Sequence, residues 1–252
     1  MAEYKIDILV QGFPGKTVCH GSLGWSTVAL LRGAGRVVLV DTGSFNVRSV
    51  IQQKLQELGL TTADVTDVLL THAHWDHMVN WTMFPRARIA IGGHELDWSL
   101  RAPWGATPIP ELYVEKLAGW DTLARLEPGA EVLPGIRCQV APGHTPGHMV
   151  YVLQGPEHDV VFTGDAAKNR AELLSLKAYH TMDPAQTEAT IRDIWQLWRA
   201  RPGNVLVPGH DMPMVLDEAA PGGIRYLAER GASIDAWFGE TLEQVHSFVL
   251  AP

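Results

Sequence analysis

Cysteine is scarce in this chain: Cys19 and Cys138 are the only two in 252 residues. They form no CxxC pair and no framework of spacings, which excludes a disulfide-stapled scaffold and a thiolate metal site. Two isolated thiols suit a reducing cytoplasm, each as a small buried apolar residue. Basic runs are also missing. Twenty Lys and Arg stand against 28 Asp and Glu, a formal charge of −8. No positive cluster is available to track a phosphate backbone, so no nucleic-acid partner is expected. No apolar stretch approaches the ~20 residues that cross a bilayer, so no membrane partner is expected either. The opening MAEYKIDILVQG has no basic block ahead of an apolar one, the mark of a signal peptide. Low-complexity segments and short-period repeats are absent.

What is present is ordinary globular material, 46% apolar, of a length for one large domain or two small ones. Apolar runs at 4–10, 26–32, 36–40, 65–70, 88–91, 136–141, 149–153, 159–162 and 204–207 read as strands. Helical spacing recurs at 47–58, near 94–100, and at 184–201, where Asp183 and Pro184 supply an N-cap and a first turn. Residues 101–113, RAPWGATPIPELY, read as a long surface loop or lid. The tail from about 222 to 252, carrying Ile234, Trp237, Phe238, Leu242, Val245 and Phe248, reads as an amphipathic helix packed on its own domain. Strands with helices between them, given twice, predict two similar halves packed face to face with helices outside.

Histidine is locally dense. Residues 71–77, THAHWDH, place three of the chain's eleven histidines directly after an apolar strand run. Packing explains such a cluster poorly and a metal explains it well. His72 and His74 are two apart, so an extended segment points them to one side. Asp76 opens the next helix, which turns Asp76 and His77 the other way. Three further strand ends deliver donors: His144 in APGHTPGH, Asp165 in FTGD and His210 in VPGHD. Imidazole suits zinc, iron, nickel or copper, and a carboxylate can bridge two ions. Two ions held in this way would lie ~3.5–4 Å apart.

The ordered blocks VDTG, THAHWDH, PGHTPGH, FTGD and VPGHD resemble those of the metallo-β-lactamase-fold hydrolase superfamily, over roughly residues 6–211. The resemblance implies an α+β, four-layer αββα sandwich, one domain over 1–252, with the site at one edge of the two sheets. It implies His72, His74 and His144 on one ion, Asp76, His77 and His210 on the other, and Asp165 between them. Asp41 and His148 would orient ligands rather than bind. The expected cofactor is therefore two divalent ions, zinc first, with manganese or iron as alternatives.

Such a pair makes a nucleophile at neutral pH, because bound water ionises near pH ~7 against ~15.7 for free water. A bridging hydroxide, oriented by Asp76 and Asp165, would attack a carbonyl carbon. The other histidines read differently: His94 and His246 as packing or surface, His158 as exposed, and His20 and His180 as possible pocket lining. Among nine tryptophans, Trp195, Trp198 and Trp237 suit helix faces. Trp75, Trp98 and Trp104 lie in or beside the metal motif and the proposed lid, where an aromatic wall would favour an apolar acyl chain or ring.

The ligand order and compact length are closest to lactonases that open N-acyl homoserine lactones. Those enzymes set a Tyr shortly after the bridging Asp. Here GDAAKNR sets Lys168, free to bind a carbonyl or carboxylate, with Tyr179 a possible substitute. The stretch DHMVN also departs from the commoner DHxGG. The expectation is an ester or lactone hydrolase acting on a small molecule. The alternatives are a glyoxalase-II-like thioesterase, a mononuclear iron persulfide dioxygenase and a nuclease. Arg225 and Arg230 are the only basic residues after His210, which disfavours the glutathione-binding helical domain of the first.

Overall fold

The computed structural model describes residues 3–16, 23–228 and 232–250. Cys19, His20 and Arg230 lie outside them.

The first sheet has six strands in sequence order: β1 (Tyr4–Val10), β2 (Val28–Gly33), β3 (Arg36–Val40), β4 (Asp67–Leu69), β5 (Arg88–Gly92) and β6 (Leu123–Leu126). The β1–β3 meander is antiparallel, and β3 to β6 run parallel. The second sheet holds β7 (Glu131–Leu133), β8 (Ile136–Val140), β9 (Met149–Gln154), β10 (Asp159–Gly164), β11 (Val205–Pro208), β12 (Met214–Leu216) and β13 (Ile224–Tyr226). Its one parallel pair is β10–β11. The helices are α1 (Arg48–Glu57), α2 (Trp75–Met78), α3 (Gly93–Arg101), α4 (Glu111–Ala118), α5 (Arg170–Ser175) and α6 (Pro184–Arg199).

Alternation lets each strand serve two cores, since successive side chains point to opposite faces. Leu31, Val38 and Leu69 face Cys138, Tyr151, Phe162 and Val207 between the sheets. Leu30, Leu39 and Val68 point the other way, onto Ile51 and Leu55 of α1, Leu96 of α3 and Leu117 of α4. In the second sheet Val152, Val161 and Leu206 point outward onto Leu173 of α5 and Ile191, Ile194 and Trp198 of α6. The result is the expected four-layer αββα sandwich. Sheets covered on both faces explain why these strands read as continuous apolar runs rather than alternating ones.

The buried carboxylate of Asp67 ties the starts of three neighbouring strands together, accepting from Arg36 and Arg88 at 2.9 Å each. At the other ends of the strands lie the polar blocks. Asp41 follows β3, the 71–77 segment follows β4, His144 follows β8, Asp165 follows β10 and His210 follows β11. β3 and β4 are parallel, as are β10 and β11, and β8 runs in the same sense as β10. All five blocks therefore leave from one rim, where open sheets of this kind bind ligands.

Two expectations need correction. The tail is not helical where it is described: β13, β14 (Ala232–Ala236) and β15 (His246–Leu250) are strands, the last two an antiparallel hairpin. Ile234 pairs with Phe248 across that hairpin. The apolar residues thus share a face with period two, while Trp237, Phe238 and Leu242 sit in the connection and are exposed rather than packed on the domain. The 101–113 segment is also shorter as a loop than expected, because α4 begins at Glu111. The irregular part is fastened to α2 by the Trp75 N–H, which donates to the Pro108 carbonyl at 3.0 Å. Among the described residues no helix is long and apolar enough to cross a membrane.

Candidate metal centre

The seven donors singled out in the sequence converge at the rim. Ligand atoms of His72, His74 and His144 lie within 4.8 Å of one another, as do those of Asp76, His77 and His210, and those of His72, His77 and Asp165. His144 Nε2 is 2.9 Å from His74 Nδ1. His210 Nε2 lies 3.3 Å from Asp76 Oδ2 and 3.4 Å from His77 Nε2. Asp165 stands between the groups. Its Oδ1 is 3.1 Å from His77 Nε2 and 3.2 Å from His210 Nε2, and its Oδ2 is 3.3 Å from His144 Nε2.

Local structure explains these positions. His74 is still extended and α2 starts directly after it, so the chain turns between His74 and Asp76 and brings the His77 ring back beside that of His72, centroids 4.2 Å apart. Gly209 is required by close approach. A Cβ there would lie 2.4 Å from Asp165 Oδ1, so only glycine lets the β11 loop pass the carboxylate.

Hydrogen bonds fix the faces of the rings. His77 Nδ1–H donates to Asp41 Oδ2 at 2.8 Å, and His144 Nδ1–H donates to the His180 carbonyl at 3.0 Å. Both rings therefore turn Nε2 toward the centre. His72 Nε2 is wholly buried and has no hydrogen-bond partner among the described residues. An orphaned imidazole nitrogen in a ring of donors is costly unless a cation takes its lone pair, so the residues fit a metal.

The electrostatics divide the histidines. Burial comes first for His72 and His144, with neighbouring histidines adding to it, and both are held well below the ordinary imidazole range. Burial lowers His74 to about 4, outweighing Asp165 and Asp76. Burial also acts against His77 and His210. Asp165 and Asp76 overcome it there, raising His210 to about 9 and, with Asp41, lifting His77 well above its usual value. In return, burial raises Asp165 and Asp76 less than the imidazolium charges beside them lower both carboxyls.

The family model described as "Metallo-beta-lactamase superfamily" matches residues 23–210, a span that contains every donor. The chain belongs to this superfamily. Metallo-beta-lactamase domain-containing protein 1 of Xenopus laevis is 28% identical over 84% of this chain and 82% of its own length. The human protein of that name is 31% identical over 78% of this chain and 66% of its own length. A dizinc quorum-quenching lactonase, AidC, solved with the product N-hexanoyl-L-homoserine, superposes with a TM-score of 0.66 at 20% identity. That match covers 81% of this chain and 79% of AidC.

The metallo-β-lactamase fold holds the remaining expected residues as follows. Asp41, at φ 57°, accepts from the Thr71 N–H and hydroxyl at 2.8 Å each, besides His77. His148 lies behind the centre: its Nε2 accepts the Asp165 N–H at 3.0 Å, and its ring stacks on His72. Lys168 is not the solvent-facing lysine that is usual. It is largely buried, with Nζ 3.2 Å from Glu172 Oε1, and its charge reaches His74 and His144. Tyr179 is exposed and accepts from Lys16. Trp75 and Trp104 are exposed, and the Trp98 ring lies 6.5 Å from that of His74.

Other supports escaped the sequence reading. Asn80, in the departing DHMVN, donates to the carbonyls of Thr42, Gly43 and Ser44, securing the turn beyond Asp41. Ser26 donates to the Asp76 carbonyl, and Thr27 donates to those of Pro208 and Gly209. Glu95 is wholly buried on α3 with three donors around it. A buried Glu beside Leu96 and Ser99 was the one available signal for it.

Proposed function

We propose that this metallo-hydrolase is a dinuclear enzyme that cleaves a carboxylic ester or lactone. The observation that carries the reading is Asp165, one carboxylate within 3.3 Å of imidazole nitrogens from both donor groups. His72, His74 and His144 would hold one divalent ion, Asp76, His77 and His210 a second, and Asp165 would reach both. Zinc is the first candidate, with manganese or iron next. Bound there, such ions supply an acidified water and Lewis-acid polarisation of a carbonyl.

The chain's own residues supply the orientation. Asp41 keeps the His77 proton on Nδ1, and the His180 carbonyl does the same for His144. Asp76 and Asp165 keep negative charge at the point where the water would lose its proton. Trp75, Trp98 and Trp104 give the substrate side an aromatic wall suited to an apolar acyl chain or ring. Lys168, held by Glu172, offers an ammonium to a carbonyl or carboxylate oxygen where the superfamily's lactonases set a Tyr. Tyr179, at the edge, is available to the same substrate. The likeness to a solved lactonase supports lactone or ester over other bonds without selecting homoserine lactone. The substrate is a small molecule, and the compartment a reducing cytoplasm.

The test is metal analysis together with turnover on lactones, aryl esters and thioesters from one zinc-loaded preparation. Two ions per chain and chelator-sensitive hydrolysis of the lactones or esters are expected. A single tight iron with oxygen uptake on a persulfide, or turnover confined to single-stranded RNA, would overturn the reading.

A further inference from the structure

Glu95 lies on the buried face of α3 with Gly93, Leu96 and Ser99. Its carboxylate is fully buried and has no ion-pair partner among the described residues. Burying such a group costs free energy unless donors surround it. Three do. The Ala73 N–H donates to Oε1 at 2.9 Å, while the Thr145 hydroxyl and the Gly147 N–H donate to Oε2 at 2.8 and 3.0 Å. Ala73 sits between His72 and His74, and Thr145 follows His144. One carboxyl group thus grips the backbone between two donors and the residue beside the third. The two gripped segments belong to different sheets, the first after β4 and the second between β8 and β9. The approach is so close that a Cβ on Gly147 would lie 2.2 Å from the Glu95 nitrogen, so that loop position admits only glycine.

The other donor group is held by different residues: His77 by Asp41, the Asp76 carbonyl by Ser26, and the turn before His210 by Thr27. Glu95 touches none of these.

We infer that Glu95 is a positioning residue that sets the separation of His144 from His72 and His74, and so tunes the affinity of one ion and not the other. This rests on the two-ion reading above. Glu95→Gln keeps the shape but turns an amide N–H₂ toward a donor, and Thr145→Val removes one donor while keeping the carboxylate. The holoprotein is dialysed against buffers of graded free zinc, and bound zinc is counted; cobalt absorption reports the ligand field of each site. In Glu95→Gln one ion should weaken ~10–100-fold, the usual result of losing an outer hydrogen-bonding partner, while the second stays within about twofold. Thr145→Val should shift the same ion by less. In a His74→Ala background, which leaves only the second ion, adding Glu95→Gln should change nothing.

A wild-type chain that binds fewer than two ions sinks the two-ion reading itself. Two ions in the wild type, with both unaffected or both equally weakened in folded Glu95→Gln, sinks the role given to Glu95. If that variant does not fold, unchanged affinities in Thr145→Val have the same force.

Discussion

The two donor groups push the same side chain toward opposite charge states. His72, His74 and His144 are imidazoles that burial keeps neutral. His77 is wholly buried and His210 largely so, yet the carboxylates beside them favour the protonated form. The difference lies in the neighbours, since burial alone lowers every histidine here. One group is ready for a cation as it stands, and the other must first give up protons.

That asymmetry can be broken outright at Asp165, the group common to both sides. Asp165→Asn removes the shared charge and should cost turnover more than the ~100-fold that follows loss of an outer partner. Metal content should fall toward one ion or none, and a fully active two-ion variant would refute the bridging role.

A second measurement sharpens the comparison without mutation. Zinc added to the ion-free chain at pH 7 in weak buffer should release protons mainly as the His77 and His210 group fills. Its affinity should climb up to about pH 9, where His210 deprotonates unaided. The His72 group should release few and depend little on pH above 7. Stability of the ion-free chain follows the same signs. The raised His210 and His77 stabilise fully below their unfolded value near 6.5; the His210 contribution is lost as pH rises through about 9, and that of His77 as pH rises through its own raised value. The lowered His74 acts in the other direction, costing stability as pH falls from about 6.5 toward 4. Unfolding temperature against pH after chelation checks both limbs.

Smaller effects come from single contacts. Asp41→Asn removes one of the charges that raise His77 and should weaken the His77-bearing ion ~10-fold, with a smaller effect on the first ion through Thr71, which bonds both Asp41 and His72. Metal competition would show this, and equal weakening of both ions would contradict it. Lys168→Met should raise KM several-fold on substrates with a carbonyl or carboxylate to bind, consistent with ~1.5–3 kcal/mol for a charge-assisted hydrogen bond partly offset by water. Its kcat should change less, and an unchanged KM across the ester panel would place Lys168 outside the substrate's reach.

The sequence showed the donors more clearly than the scaffold that aims them. His72 to His77, His144, Asp165 and His210 are each a polar block after an apolar strand run, and the layered sandwich follows from the same alternation. Glu95 stayed hidden because two of its three partners are backbone N–H groups from distant segments, and main-chain donors leave no trace in residue identity. Asn80 registered only as a departure from a pattern, because its partners are carbonyls. The 222–252 tail misled because its apolar residues fit a helical period by spacing alone, whereas the Ile234–Phe248 pairing across a hairpin makes the real face. The start of α4 was masked by the prolines just ahead of it.

The single rim has an engineering consequence. Every chemical group departs where the strands finish, so the turns that feed the strand starts, at 34–35 before β3, 134–135 before β8 and 155–158 before β10, face the opposite pole. A fluorophore, a surface tether or a spliced-in peptide placed in those turns would sit the full length of the sheets away from the chemistry and leave it undisturbed.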